Sequence, residues 1–62
     1  MWYRIEYLRD RVLIGTEVSA GTLEATKQAA LTGMIERHAD FVYIIDDETA
    51  AEVWCESRKP AG

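Results

Sequence analysis

The chain has 62 residues, of which 48% are hydrophobic and 29% are charged, and its formal net charge is −4. This length allows one domain, and the apolar fraction is that of a folded protein rather than a disordered one. The acidic balance, with no run of Lys or Arg, argues against binding to nucleic-acid phosphates. No apolar run approaches the roughly 20 residues that span a bilayer, and the first residues are not typical of a secretory signal.

Residues 2–18 are predicted to form a β-hairpin. Tyr3, Ile5 and Tyr7 alternate with more polar residues, which is the period-two pattern of a half-buried strand. The turn is expected at residues 8–11, with a second strand after it. Gly15 inside this second strand predicts a β-bulge or a close backbone approach.

The middle of the chain, from Thr22 to about Ala39, has helical spacing. Ser19 or Thr22 could cap the first turn, and Gly33 indicates either close packing or a weak point in the helix. Lys27 is interpreted as a snorkelling side chain. The apolar stripe expected to face a sheet consists of Leu23, Ala30, Leu31, Met34, Ile35 and His38.

A second hairpin is predicted from residues 41–45 and 52–56, joined by an acidic turn at residues 46–50. Residues 1–57 then form a single α+β domain of order ββαββ, with a four-stranded, mainly antiparallel sheet and one helix packed on one face. Residues 58–62 are expected to be a flexible tail. We prefer a sheet in which the strands lie in the order second, first, third, fourth. In the alternative, the third strand lies beside the second and runs parallel to it.

One helix can cover only one face of such a sheet, so the other face is a candidate interface. The alternation places Tyr3, Ile5, Tyr7, Phe41, Tyr43, Ile45 and Val53 under the helix. It leaves an aromatic and aliphatic patch on the open side, made of Trp2, Val42, Ile44 and Trp54, with a charged rim of Arg4, Glu6, Glu52 and Glu56. Aromatic residues rimmed by charge are typical of association surfaces. The alternative is that the charged side chains simply shield this face from water.

A possible ligand or enzymatic site is where His38 meets the hairpin ends near Asp40 or Asp46. Pairing of His38 with Cys55 as base and nucleophile is a weaker interpretation, because nothing in the sequence places them together. The single cysteine excludes an intrachain disulfide and fits a reducing cytoplasm. The acids of residues 46–48 lack the spacing of a calcium loop, so neither a metal nor a cofactor is expected.

The stretch of residues 41–49, running into Glu52-Val53-Trp54, resembles a group of short alphaproteobacterial proteins. These have an aromatic-rich N-terminal hairpin, an alanine-rich helix and a C-terminal hairpin with an acidic turn. In this chain Ala50 replaces the Gly of that turn. The resemblance implies the hairpin-helix-hairpin fold, and it transfers no function and no functional residue.

The apolar surplus favours a small, non-catalytic, cytoplasmic interaction module. The expected partner is a second copy of the chain or another protein, bound through the open sheet face. The alternatives are the ligand or enzymatic site around His38 and, since aromatic residues on a sheet can stack bases, single-stranded nucleic-acid binding. The acidic balance argues against the last of these.

Overall fold

The computed structural model describes residues 1–58, which form one antiparallel sheet and one helix. Along the chain these are β1 (Trp2–Arg9), β2 (Val12–Ala20), α1 (Leu23–Glu36), β3 (Phe41–Asp46) and β4 (Glu52–Ser57). The sheet order is β2-β1-β3-β4, and all three neighbouring pairs are antiparallel. The predicted α+β fold and the preferred strand order are confirmed. Of the predicted tail, residues 59–62 lie outside the described residues.

A two-residue turn joins β1 to β2. Asp10 and Arg11 both have positive φ, at 51° and 67°, and Arg9 pairs directly with Val12. Positive φ at both central residues is the conformation of a type I′ hairpin turn, which suits the right-handed twist of the strands. The turn is shorter than the predicted residues 8–11 because β1 stays paired as far as Arg9.

The irregularity predicted at Gly15 is confirmed as a β-bulge. Tyr7 pairs with Gly15, but Leu8 pairs with Leu13, so Ile14 is the extra residue on β2. A Cβ atom at Gly15 would lie 3.1 Å from Nε of Arg37, whose side chain crosses the strand at this point. The bulge and the missing side chain together make room for that arginine.

Helix α1 begins with a side-chain cap. The Oγ1 atom of Thr22 accepts a hydrogen bond from the backbone N–H of Ala25 at 3.1 Å, so Thr22 rather than Ser19 is the N-cap. Lys27 pairs with Glu24 at 3.2 Å and is half-buried, which agrees with a snorkelling role.

The helix ends earlier than predicted, in a Schellman motif. The N–H of Ala39 donates to the carbonyl of Met34 at 2.9 Å, and that of His38 donates to Ile35 at 3.2 Å. His38 therefore lies beyond the helix, exposed and with φ of 55°, rather than on the apolar stripe. Ile35 is also misplaced by the prediction, because its side chain is 59% exposed on the outer side of the helix.

The core combines large side chains on the sheet with small ones on the helix. Its fully packed hydrophobic members are Tyr3, Ile5, Tyr7, Ala30, Met34, Ala39, Val42 and Ile44. Gly33 is buried against Tyr7, and a Cβ atom there would lie 2.1 Å from the phenol oxygen. The close approach predicted at Gly33 is thus a contact with an aromatic ring, and it lets the helix lie near the sheet.

Candidate functional site

The strand register decides which residues lie on the face that the helix leaves uncovered. Residues directly opposite each other in an antiparallel pair place their side chains on the same face. Since the helix covers Tyr3, Ile5 and Tyr7, the remaining residues of β1 and their partners lie on the other side. We call this side the open face. Its apolar members are Trp2, Leu8, Leu13, Val18, Phe41, Tyr43 and Ile45, and Arg4 and Glu6 lie between them.

The predicted interface residues of β3 and β4 are on the wrong face. Val42 pairs with Tyr7 and Ile44 pairs with Ile5, so both lie under the helix, where they are fully buried. Trp54 pairs with Ile44 and packs against the same core, half-buried. The assignment failed because residues 41–45 are apolar at every position, so alternation could not distinguish the two faces.

Of the predicted interface residues, Trp2 alone lies on the open face, where it is 59% exposed. Two β2 side chains on the same face are as accessible, Leu13 at 52% and Val18 at 63%. Phe41 and Tyr43 are half-buried, with ring centroids 6.0 Å apart. The open face is therefore more apolar than predicted, although most of its members differ from the predicted ones.

A small polar group interrupts this apolar surface. Nε of Arg4 lies 3.0 Å from a carboxylate oxygen of Glu6, and the hydroxyl of Tyr43 donates to the other oxygen at 2.8 Å. This hydrogen bond to Glu6 raises the pKa of Tyr43 above its ordinary value. Because the two charges neutralise each other within the group, the middle of the open face carries little net charge.

Charge is separated between the two ends of the sheet. The turn between β3 and β4 carries three consecutive acids at residues 46–48. At the opposite end lie the β1–β2 turn, with Arg9 and Arg11 beside Asp10, and the end of β4 followed by Arg58. The long axis of the molecule therefore runs from an acidic end to an end of mixed charge, where Arg9, Arg11 and Arg58 lie near Asp10 and Asp40.

The predicted ligand site around His38 is not assembled as a single site. Asp40 precedes β3 and Asp46 ends it, so they are separated by the length of the strand, roughly 20 Å. The Asp40 carboxylate accepts the backbone N–H of Asp10 at 2.9 Å, and Asp46 accepts that of Glu48 at 2.8 Å, so both carboxylates stabilise turns. Cys55 is exposed and pairs with Tyr43 of the open face, whereas His38 follows the helix that packs on the other face.

Sequence reasoning missed a cluster beneath the helix, formed by Tyr7, Glu17 and Arg37. The Arg37 guanidinium lies 4.4 Å from the centroid of the Tyr7 ring and 2.8 Å from the Glu17 carboxylate. The Tyr7 hydroxyl donates to the same carboxylate oxygen at 3.3 Å. The two glycines flagged as close approaches, Gly15 and Gly33, are the positions that make room for this cluster, and they were the only sign of it in the sequence.

The chemistry of this cluster is structural. Burial first, and then the charge of Glu17, raise the pKa of Tyr7 to about 12, so its phenol stays protonated at neutral pH and is unsuited to act as a base. The adjoining groove, of about 360 Å³, runs between β2 and the helix and includes Gln28 and Thr32. Arg37 is already paired there with Glu17, whose carboxylate lies 2.8 Å from the guanidinium and offsets its charge.

Within residues 1–58, no group of three or more His, Cys, Asp or Glu side chains is arranged to hold a metal ion. No helix in this part of the chain is long and apolar enough to cross a membrane. Comparisons with protein-family models, with curated proteins and with solved structures found no match. The resemblance to short alphaproteobacterial proteins stays a prediction.

Proposed function

We propose that this protein is a small, non-catalytic, cytoplasmic interaction module that self-associates through the open face. The observation that carries the proposal is the exposure of Trp2, Leu13 and Val18 on one continuous side of the sheet, beside the half-buried aromatic rings of β3. Transfer of apolar surface from water contributes about 25 cal/mol per Å², so these side chains favour any arrangement that covers them. The unpaired Cys55 fits a reducing compartment.

The size of the open face supports a weak dimer. Strands of 8, 9, 6 and 6 residues, at about 3.3 Å per residue and about 4.8 Å between strands, give a flat area of roughly 500 Å². Two such faces together bury roughly 1,000 Å², near the lower limit for a specific interface. We therefore expect dissociation constants in the micromolar range rather than the nanomolar one.

The charge distribution favours a second copy as the partner. In a two-fold arrangement with the strands of the two sheets antiparallel, the acidic turn of residues 46–48 lies near the end of the other copy that carries Arg9 and Arg11. The nearly neutral middle of the open face then packs against itself without repulsion. An electrostatic contribution of this kind weakens as salt is added.

Sedimentation velocity across about 1–200 µM, a range that brackets micromolar affinity, tests the proposal. Trp2→Arg is expected to weaken association at least tenfold, because it replaces the largest exposed aromatic residue of the open face by a charge. Ile35→Arg is the matched control, since Ile35 is equally exposed, at 59%, but lies on the outer side of the helix. Both variants should keep the helical circular dichroism signal.

A wild-type protein that is monomeric throughout this range contradicts the proposal. So does a Trp2→Arg variant that associates as tightly as the wild type. If Ile35→Arg dissociates the assembly and Trp2→Arg does not, self-association uses the helix side, and the open face is not the interface.

A further inference from the structure

The free edge of β2 is a second surface suited to association, and it is distinct from the open face. Strand β2 is an outer strand of the sheet, and within the described residues it pairs with β1 alone. In an antiparallel pair, successive residues alternately direct their backbone N–H and C=O groups toward the partner strand and away from it. The N–H of Gly21 donates to the carbonyl of Met1, which shows which residues of β2 beyond the bulge face β1. Ser19 and Glu17 then bond to β1, while the backbone groups of Thr16, Val18 and Ala20 point away from the sheet.

This edge lacks the usual protection against pairing. Natural edge strands are commonly guarded by charged side chains, prolines or bulges. Thr16, Val18 and Ala20 are all exposed and uncharged, and the bulge at Ile14 lies outside their segment. The one charge on β2, Glu17, is neutralised by Arg37 at 2.8 Å.

The opposite edge, β4, is better protected. The N–H of Arg58 donates to the carbonyl of Asp40, so the same alternation leaves the backbone groups of Cys55 and Ser57 free. The register shift after Ile44 then makes Val53 a bulge and interrupts the free edge. The strand also begins with the acidic Glu52. Of the two outer strands within residues 1–58, only β2 offers three successive outward positions on a regular strand.

We propose that the β2 edge pairs with the β2 edge of a second copy, antiparallel across a two-fold axis at Val18. Val18 then faces Val18 of the second copy, and Thr16 faces Ala20, each pair exchanging backbone hydrogen bonds. On the helix side Glu17 faces Ser19 rather than another carboxylate. Moving the axis to Thr16 would instead bring Val18 against the bulged Ile14. The register at Val18 therefore opposes no like charges and uses only the regular part of the strand.

The pairing would join two sheets into one of eight strands, with both helices on the same side. It covers the exposed side of Val18, which is 63% accessible in the single chain. It shares Val18 with the open face but leaves Trp2 and the rings of β3 uncovered, so packing through the open face remains available. The two contacts can be tested separately.

Chemical synthesis allows a single backbone N–H to be removed from the full chain. N-methylation of Val18 blocks the outward side of β2 without touching the β1–β2 ladder, because this N–H does not bond to β1. We expect at least tenfold weaker association in sedimentation. N-methylation of Cys55 makes the same change on the outward side of β4 and should leave association unchanged. The N–H of Thr16, Val18 and Ala20 should also exchange with solvent more slowly as protein concentration rises.

Each result decides the proposal. Edge pairing is overturned if the N-methyl-Val18 and N-methyl-Cys55 chains associate equally. It is also overturned if the exchange rates of the N–H groups of Thr16, Val18 and Ala20 do not depend on protein concentration. If association persists in both N-methylated chains and is lost in Trp2→Arg, the open face is the interface and the edge is not. Loss in N-methyl-Val18 with no effect of Trp2→Arg supports the edge and removes the open face.

Discussion

Replacing Gly33 by alanine should destabilise the protein, although alanine is the better helix former. In an exposed helical position this substitution gains about 1 kcal/mol. Here the new Cβ atom would lie 2.1 Å from the Tyr7 phenol oxygen and 2.6 Å from Cζ, so either the ring or the helix must move. Tyr7 has little freedom to move, because it is fully buried beneath the Arg37 guanidinium.

The expected size of the effect follows from three contributions. Overpacking of a tight core costs about 1–3 kcal/mol. Displacing Tyr7 also weakens its hydrogen bond to the Glu17 carboxylate, a type of bond that contributes about 1.5–3 kcal/mol. After the propensity gain is subtracted, the net loss is about 2 kcal/mol. In a domain of this size that lowers Tm by roughly 10 °C.

Thermal unfolding followed by circular dichroism, at one fixed protein concentration, measures this loss. Thr32→Ala is the control, because it raises helix propensity on an exposed position next to Gly33 and should be neutral or slightly stabilising. In a Tyr7→Phe background, which lacks the nearest oxygen, Gly33→Ala should cost less. A Gly33→Ala variant that is as stable as Thr32→Ala, or more so, would refute the contact between the helix and the ring.

Two further predictions concern the helix end and the buried phenol. His38→Gly should raise the free energy of unfolding in urea by up to about 1 kcal/mol, because glycine adopts the positive φ of this position without strain. The control, His38→Ala, should bring no gain. Equal effects of the two substitutions would count against the Schellman geometry. The pKa of Tyr7 is raised to about 12 from 10.0, so the unfolded chain releases this proton at a lower pH than the folded protein does. Stability should therefore be independent of this phenol below pH 10 and should fall between about pH 10 and 12. Tyr7→Phe should show a smaller fall over that window, and a profile identical to the wild type would contradict the shift.

The sequence was sufficient to predict the fold because the local patterns agree with one another. Tyr3, Ile5 and Tyr7 alternate with polar residues, and all three are buried, so the period-two signal predicted the covered side of β1 correctly. The sequence also narrowed the helix cap to Ser19 or Thr22, and the role of Gly33 to close packing or a weak point. The structure selects Thr22 and close packing.

The faces of β3 could not be read in the same way. In residues 41–45 every side chain is apolar, so side-chain type does not distinguish the β3 residues under the helix from those on the open face. They differ only in which residue of β1 each of them pairs with. That pairing is set by register, a property of two strands separated by a helix. Trp54 was misassigned for the same reason, since its face follows that of its partner Ile44.

The helix end and the Tyr7 cluster were unpredictable for a different reason. A Schellman motif usually contains glycine, and here His38 occupies the left-handed position, so the composition gives no stop signal. The cluster joins Tyr7, Glu17 and Arg37 from three elements, and its members are brought together only by the packing of the helix on the sheet.

The two proposed contacts use perpendicular directions of the same molecule, and this determines how they combine. The open face packs along the normal to the sheet, and the β2 edge pairs within its plane, so neither contact blocks the other. Two isologous contacts with crossing two-fold axes close into a D2 tetramer of two stacked eight-stranded sheets. In that case N-methyl-Val18 and Trp2→Arg should each reduce the tetramer to a dimer, and only the chain carrying both changes should be a monomer. A single change that yields monomers would mean that one contact alone holds the copies together.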